Sequence, residues 1–342
     1  MAATGYYKAP VYRARSRSGL TAHCHFRNQE DGSIQKRDQE LLMLDTTPFA
    51  PAEVTSAIET SAQYKENSSD KTQQRAEGTC RIVVSGSAKG TCIVDVFQKS
   101  PIRIIFPKTG DDRSREAVLV NTSGGVAGGD RLQSTVTALS GASLAVTTQA
   151  AEKVYRAIDA CADIATTLKV CDGAKLAWLP QETIVFNEAR IRRRTEIEIS
   201  SGSELLALEW LVLGRAAHGE RMLAGSFNDT WLVRKDGRLI WGDTFRLADD
   251  VFSHLSEKAL LSDATALATL LYFGEDFEAH RQLIRDQSAS FDCQCGATLV
   301  GNLMVARFAA KSSFELKTAL RKLLAEFRKG IGPFRVPKMW SC

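Results

Sequence analysis

From residue 79 onward the apolar positions fall in short runs, many of them alternating with polar ones. They predict strands over 80–86, 92–98, 102–107, 116–122, 131–139, 142–149, 162–170, 175–179, 183–187, 192–200, 204–213, 223–234 and 238–247. In Thr195-Glu196-Ile197-Glu198-Ile199 the isoleucines share one face and the glutamates the other, the period of a half-buried strand. Lys235-Asp236-Gly237-Arg238 separates two such runs, and Asp-Gly suits a type I′ turn, so a hairpin is expected there. Strands at this regular short spacing argue for a large β architecture and against βαβ units. The period changes in the carboxy-terminal third, where 254–273, 275–287 and 313–328 read as helices. The last has Leu316, Leu320, Leu323 and Leu324 at helical spacing and Gly330 as its stop. Residues 332–337 read as an extended tail against the body. The expected fold is mainly β, a large multi-stranded architecture with a few C-terminal α-helices.

Residues 1–77 have a different texture: rich in Ser, Thr, Gln, Glu, Lys and Arg, poor in apolar clusters, and closed by a polar run from Gln63 to Glu77. Such a segment buries too little apolar surface to offset its ordering entropy, so it reads as a disordered basic extension ahead of a body at 78–342. Across the 342 residues, 44% hydrophobic and 25% charged content is that of a soluble globular protein. No apolar run is long enough for a membrane span, and no signal-peptide core opens the chain. Eight scattered cysteines read as reduced thiols of a cytoplasmic protein. A net charge of +4 is too mild to imply nucleic acid.

Familiar catalytic signatures are missing. The bend Thr122-Ser123-Gly124-Gly125-Val126-Ala127-Gly128-Gly129-Asp130-Arg131 is glycine-rich, but Asp130-Arg131 stands where a P-loop needs Lys-Ser/Thr. A strand-like run follows it where a dinucleotide fold needs a helix. There is no GxSxG elbow, and the five histidines form no HExxH pair. His23-Cys24-His25 lies in the leader, and Cys293-Gln294-Cys295 is spaced too tightly for an ordinary zinc pair. The basic cluster Arg190, Arg192, Arg193 and Arg194 opens the strand carrying Glu196 and Glu198, which suggests a solvated, self-compensated edge.

Acids inside apolar runs draw more attention. Glu209 interrupts Leu205-Leu206-Ala207-Leu208 and Trp210-Leu211-Val212-Leu213, Glu182 sits between Trp178-Leu179-Pro180-Gln181 and Thr183-Ile184-Val185-Phe186, and Asp243 sits between Trp241 and Phe245. A buried carboxylate must be paired, coordinated or hydrated. Two readings stay open: internal salt bridges, or a wet interior passage able to handle a cation. A third use, acid–base pairs in a β-rich hydrolase or lyase, requires two of these acids in one cleft.

Four segments together resemble the urease accessory proteins called UreD in most bacteria and UreH in some. They are Asn121–Leu132, Thr147–Arg156 (Thr-Thr-Gln-Ala-Ala-Glu-Lys-Val-Tyr-Arg), Leu179–Ile184 (Leu-Pro-Gln-Glu-Thr-Ile) and Gly214–Glu220 (Gly-Arg-Ala-Ala-His-Gly-Glu), in that order within 78–342. The resemblance implies a β-rich scaffold and not a catalyst, with no tightly bound cofactor. Such a protein binds apo-urease and, with UreF, recruits the GTPase UreG. It takes part in nickel insertion, the ion crossing an internal passage. Glu182, Glu209 and Asp243 are then the candidates for a transient nickel path, since weakly held ions prefer carboxylate and water. Gly128, Gly129, Asp130 and Arg131 are candidates for partner docking, and the C-terminal helices and tail for the UreF surface.

Overall fold

The computed structural model describes residues 75–108, 113–158, 160–248, 251–330 and 336–341. The leader up to residue 74, with His23, Cys24 and His25, therefore lies outside the described residues, as do 331–335 of the tail, while Glu77, expected in the disordered extension, already belongs to the first strand. Within the described residues the first half of the chain carries β1 (Glu77–Ser87), β2 (Gly90–Lys99), β3 (Ile102–Ile105), β4 (Arg115–Asn121), β5 (Arg131–Ala138), β6 (Ser143–Thr148), β7 (Glu152–Val154) and β8 (Ala162–Val170). It continues through β9 (Lys175–Trp178), β10 (Thr183–Val185), β11 (Arg190–Ile199), β12 (Glu204–Leu213), β13 (Ser226–Lys235) and β14 (Arg238–Leu247). The last third holds β15 (Ala266–Phe273), α1 (Phe277–Gln287), β16 (Gln294–Val300), β17 (Leu303–Ala310) and α2 (Ser313–Gly330). The architecture is mainly β, as the alternating pattern predicts.

Two sheets face each other. The first has the order β14-β13-β11-β8-β5-β1-β2; the second runs β16-β17-β15-β12-β9-β6-β4-β3, with β10 and β7 added beside β12. The chain crosses from one sheet to the other and back, so each return lays a strand parallel to its predecessor. Thus β1, β5, β8, β11 and β13 are parallel neighbours, and so are β4, β6, β9 and β12. A strand of the opposite sheet serves as the crossover that parallel pairing needs. Antiparallel pairs close the margins, including the predicted β13–β14 hairpin, with Asp236 at φ 51° and Gly237 at φ 82°.

One apolar cluster fills the space between the sheets, joining Ile82, Leu144, Leu168, Leu176, Ile197 and Phe227. A second covers the outer face of the second sheet, where Leu206, Leu208 and Trp210 of β12 meet Leu316, Leu320, Leu323 and Phe327 of α2. Strand β12 is therefore buried on both faces, which accounts for its unbroken apolar run. Helix α2 starts with a reciprocal cap: the Ser312 hydroxyl accepts from Glu315 N at 3.2 Å, and the Glu315 carboxylate accepts from Ser312 N at 3.1 Å. Each fully buried leucine on its inner face contributes roughly 1.5–3 kcal/mol.

The helix expected at 254–273 is not formed. A short 3-10 turn at Phe252–His254 leads through turns into β15, which pairs with β12 and β17. Its run Ala266-Leu267-Ala268-Thr269-Leu270-Leu271-Tyr272-Phe273 favours a helix by propensity, but burial on both faces selects the strand. The three-residue β7 and the longer β16 and β17 also lie outside the predicted set. The end of the tail tucks in: Trp340 is buried against Trp210, with ring centroids 5.9 Å apart, and its Nε1 donates to the Leu179 carbonyl at 2.8 Å.

Candidate functional site

Because β4, β6, β9 and β12 run parallel, the segments that follow them emerge at one end of the molecule. Those segments are the four motifs singled out from sequence. Main-chain hydrogen bonds tie them in series. Val126 N donates to Lys153 O at 2.7 Å, Glu152 N to Glu182 O at 2.8 Å, and Gly214 N to Val185 O at 2.7 Å. Side chains reinforce the join: Tyr155 packs edge-on against Phe186 at 5.2 Å, Arg215 lies 4.2 Å over the Phe186 ring, and Arg215 pairs with Glu220 at 2.5 Å.

The glycine-rich bend is shaped by this packing. A Cβ on Gly125 would lie 2.4 Å from the Tyr155 ring, and one on Gly128 would lie 2.4 Å from Ala160 O. Asp130 is buried and uses both carboxylate oxygens at home, accepting from Ala76 N and Ala127 N at 2.8 Å each. That leaves Arg131 as the exposed charge of the bend.

Under this end lies a cavity of about 270 Å³, lined by Asn121, Gln149, Glu152, Trp178, Thr183 and the Arg193–Glu209 pair among others. It reaches the surface past exposed Gly124, Ala150 and Lys153. A second cavity, of about 410 Å³, is lined by Arg193, Glu209, Asp229, Thr269, Gly296 and Arg307 among others. It reaches the surface past exposed Gln294, Gly296 and Arg307. The two cavities share Arg193 and Glu209.

These two residues belong to a buried polar network joining the sheets. Arg193 on β11 and Asp229 on β13 are partners in register, and the guanidinium forks onto Asp229 with Nε at 2.9 Å and Nη2 at 2.6 Å. Nη1 reaches across to Glu209 on β12 at 2.6 Å and to the Thr183 hydroxyl at 3.2 Å. Trp178 Nε1 donates to the other Glu209 oxygen at 2.8 Å, and Trp231 Nε1 to Asp229 at 3.2 Å. The three charged side chains are 4%, 7% and 8% exposed, so solvent screens them little. Burial opposes the Arg193 charge, yet Asp229 and Glu209 hold its pKa above the ordinary value. Burial pushes the Glu209 carboxyl up, and Arg193 draws it down. One guanidinium thus serves two acids in the wall between the cavities.

The three sequence-predicted acids are not gathered in one place. Glu209 sits in the shared wall, in a salt bridge. Asp243 pairs with Arg307 at 2.6 Å, beside the second cavity. Glu182 lines neither cavity; the alternation turns its neighbours Gln181 and Thr183 to the first one, while one Glu182 carboxylate oxygen is buried without a hydrogen-bond partner. The arginine cluster also needs correcting. β11 is an interior strand between β13 and β8, not an edge. Arg192 and Arg194 do face outward and are compensated, by Asp163 at 2.6 Å and Glu196 at 2.5 Å. Arg193 faces inward. The signal was in the phase: Arg193 shares its parity with Ile191, Ile197 and Ile199, as Asp229 does with Phe227, Trp231 and Val233.

Glu152, inside the second motif, was also not singled out. Burial pushes its carboxyl up to about 7 against hydrogen bonds from Asn121 Nδ2 at 3.1 and 3.2 Å, and the Asp130 charge adds to the rise. A carboxyl raised above its ordinary value of 4.5 contributes stability below that value and loses it as pH rises through about 7. Glu152→Gln should therefore gain on the parent at pH 8 and lose that advantage at pH 4. Urea unfolding at the two pH values checks this; parallel pH curves would contradict it.

Among the described residues no three His, Cys, Asp or Glu side chains cluster closely enough to hold a metal ion, and no helix is long and apolar enough to cross a membrane. The class is thus a parallel-wound β-sandwich holding two adjoining cavities, with its sequence motifs gathered at one mouth. The family model described as UreD urease accessory protein matches residues 76–341. The urease accessory protein UreD of Xanthobacter autotrophicus is 40% identical over 269 residues, covering 79% of this chain and 91% of the relative. That of Rhizobium johnstonii is 38% identical over 268 residues, covering 78% and 96%. That of Rhodopseudomonas palustris is 40% identical over 250 residues, covering 73% and 90%. The chain belongs to the UreD family of urease accessory proteins, and its role is in urease maturation.

Proposed function

We propose that this protein acts without catalysis of its own as the scaffold through which nickel reaches apo-urease, in a cytoplasmic complex with UreF and the GTPase UreG. The observation that carries the reading is the shared wall: a buried Arg193–Glu209–Asp229 network stands between two cavities that reach the surface at separate places. Nickel is cargo here. A path lined by carboxylate, hydroxyl and water holds a divalent ion weakly enough to release it. Glu209 is the central acid of that path, and Asp243 with Arg307 flanks its second opening. Glu182 stands off the wall, so the path runs without it. At the motif end, the bend of Gly128, Gly129, Asp130 and Arg131 meets a partner through its backbone rim and Arg131. The hydrolase reading is the weaker one, because Glu209 is engaged by Arg193 and Asp243 by Arg307, so neither stands free to act as acid or base.

The test is co-expression of the urease subunits and other accessory proteins with and without this chain, followed by nickel analysis of purified urease. Omission should leave urease nickel-poor; full metal content without the chain would end the reading. Gly296→Trp probes the passage itself. Gly296 pairs with Arg307 in register, and a Cβ there meets nothing within 4 Å, so the indole narrows the second opening without forcing the fold. Complex assembly should persist while nickel loading falls.

A further inference from the structure

The network in the shared wall is asymmetric. Arg193 and Asp229 lie on adjacent strands of one sheet, in register, and meet through two parallel N–H···O bonds. Glu209 comes from the facing sheet and receives a single guanidinium N–H, its other oxygen being held by Trp178. A bidentate fork is the stronger and more directional arrangement, so the arm to Glu209 is the one that yields first. Position matches this. Trp178 and Thr183 line only the first cavity, Asp229 only the second, and Arg193 with Glu209 lines both.

Resting on the reading above, we propose that Arg193 is a gate: its guanidinium stays on Asp229 and exchanges Glu209 with a hydrated divalent cation passing between the cavities. The guanidinium has two effects. It closes the wall when no ion is present, and by competing for Glu209 it prevents the two acids from becoming a trap. No bond is made or broken in the step; one ion pair is traded for another, and the Glu209 carboxylate freed by the guanidinium attracts the cation.

Removing the competitor should convert a transit point into a binding site. In Arg193→Gln, Glu209 and Asp229 are left without their cation, and NiCl2 should bind at least about tenfold more tightly than to the parent chain. Saturating Ni²⁺ should also raise the Tm of that variant by at least about 5 °C. The double variant Arg193→Gln/Glu209→Gln should lose both gains, which separates this site from any other metal contact. If Arg193→Gln is unfolded without metal, Ni²⁺ should restore its structure. Folded or not, a variant whose affinity and melting Ni²⁺ leaves at the parent level overturns the gate. A second arm uses Glu209→Gln in the full accessory complex, where a neutral side chain offers the ion no charge. Nickel loading of urease at limiting metal should fall at least about tenfold with the complex still assembled. Normal loading by this variant would refute the gate while leaving the scaffold reading intact. The scaffold reading fails separately, if urease fills with nickel when the whole chain is omitted.

Discussion

Arg193→Met should destabilise the folded chain by about 3–5 kcal/mol near neutral pH, because it leaves two buried carboxylates facing each other without a cation. Arg193, Glu209 and Asp229 are 4%, 7% and 8% exposed, so water cannot take over the lost role. The deficit has a pH signature. Burial already pushes the Glu209 carboxyl up, and deleting the guanidinium removes the group that draws it down. A carboxyl raised above its unfolded value stabilises in acid and loses that contribution as pH rises through its folded value. The variant should therefore approach the parent in acid and diverge from it toward pH 8. Replacing all three residues, as Arg193→Met/Glu209→Leu/Asp229→Leu, should recover part of the loss, since apolar groups can substitute for buried ion pairs while the Trp178 and Trp231 indole N–H groups lose their acceptors. Denaturant unfolding across pH measures both effects. A single variant as stable as the parent at pH 8 would mean that the wall is well hydrated.

Gly128→Val should damage the mouth where the four motifs meet. Its Cβ would stand 2.4 Å from Ala160 O and 2.8 Å from the Ala157 Cβ, so main chain must move. Overpacking of that kind costs about 1–3 kcal/mol or more, and here it acts on the segment carrying the Val126–Lys153 and Gly129–Cys161 hydrogen bonds. Gly124→Ala is the matched comparison. Its Cβ meets nothing within 4 Å, and only its φ of +78° weighs against a side chain, at about 1–2 kcal/mol. Urea midpoints and amide exchange at Val126 and Tyr155 rank the two variants. Equal midpoints would show that the bend can shift freely. Loss of partner capture by Gly128→Val has meaning only beside that control, because Asp130 and the backbone around it are held by the same packing.

Thirteen strand-like runs between residues 80 and 247 could be placed from alternation because most of them are buried on one face only. The β13–β14 hairpin could be placed because Asp236-Gly237 supplies two positive φ angles where a type I′ turn needs them. Where both faces are buried, the period vanishes. That is why β15 passed for a helix and why the parity of Glu209 in β12 gave no direction. Glu209 still stood out as a charge in an apolar run, whereas Arg193 was hidden among outward-facing arginines. Asp243 was legible as an acid between aromatics, but its partner Arg307 is 64 residues away.

By itself, then, the order of residues determined the β class, the hairpin, the C-terminal helix and the four motifs of the family. Each of these depends on local periodicity, turn chemistry or a contiguous string. Only the tertiary structure decided that the strands run parallel, that the four motifs share one end, and that Arg193, Glu209 and Asp229 meet between two cavities. Those outcomes come from the repeated crossing between facing sheets, which brings together positions 16 to 36 residues apart in the chain. Strand pairing and sheet packing set that geometry, and no stretch of sequence short enough to show a period contains it.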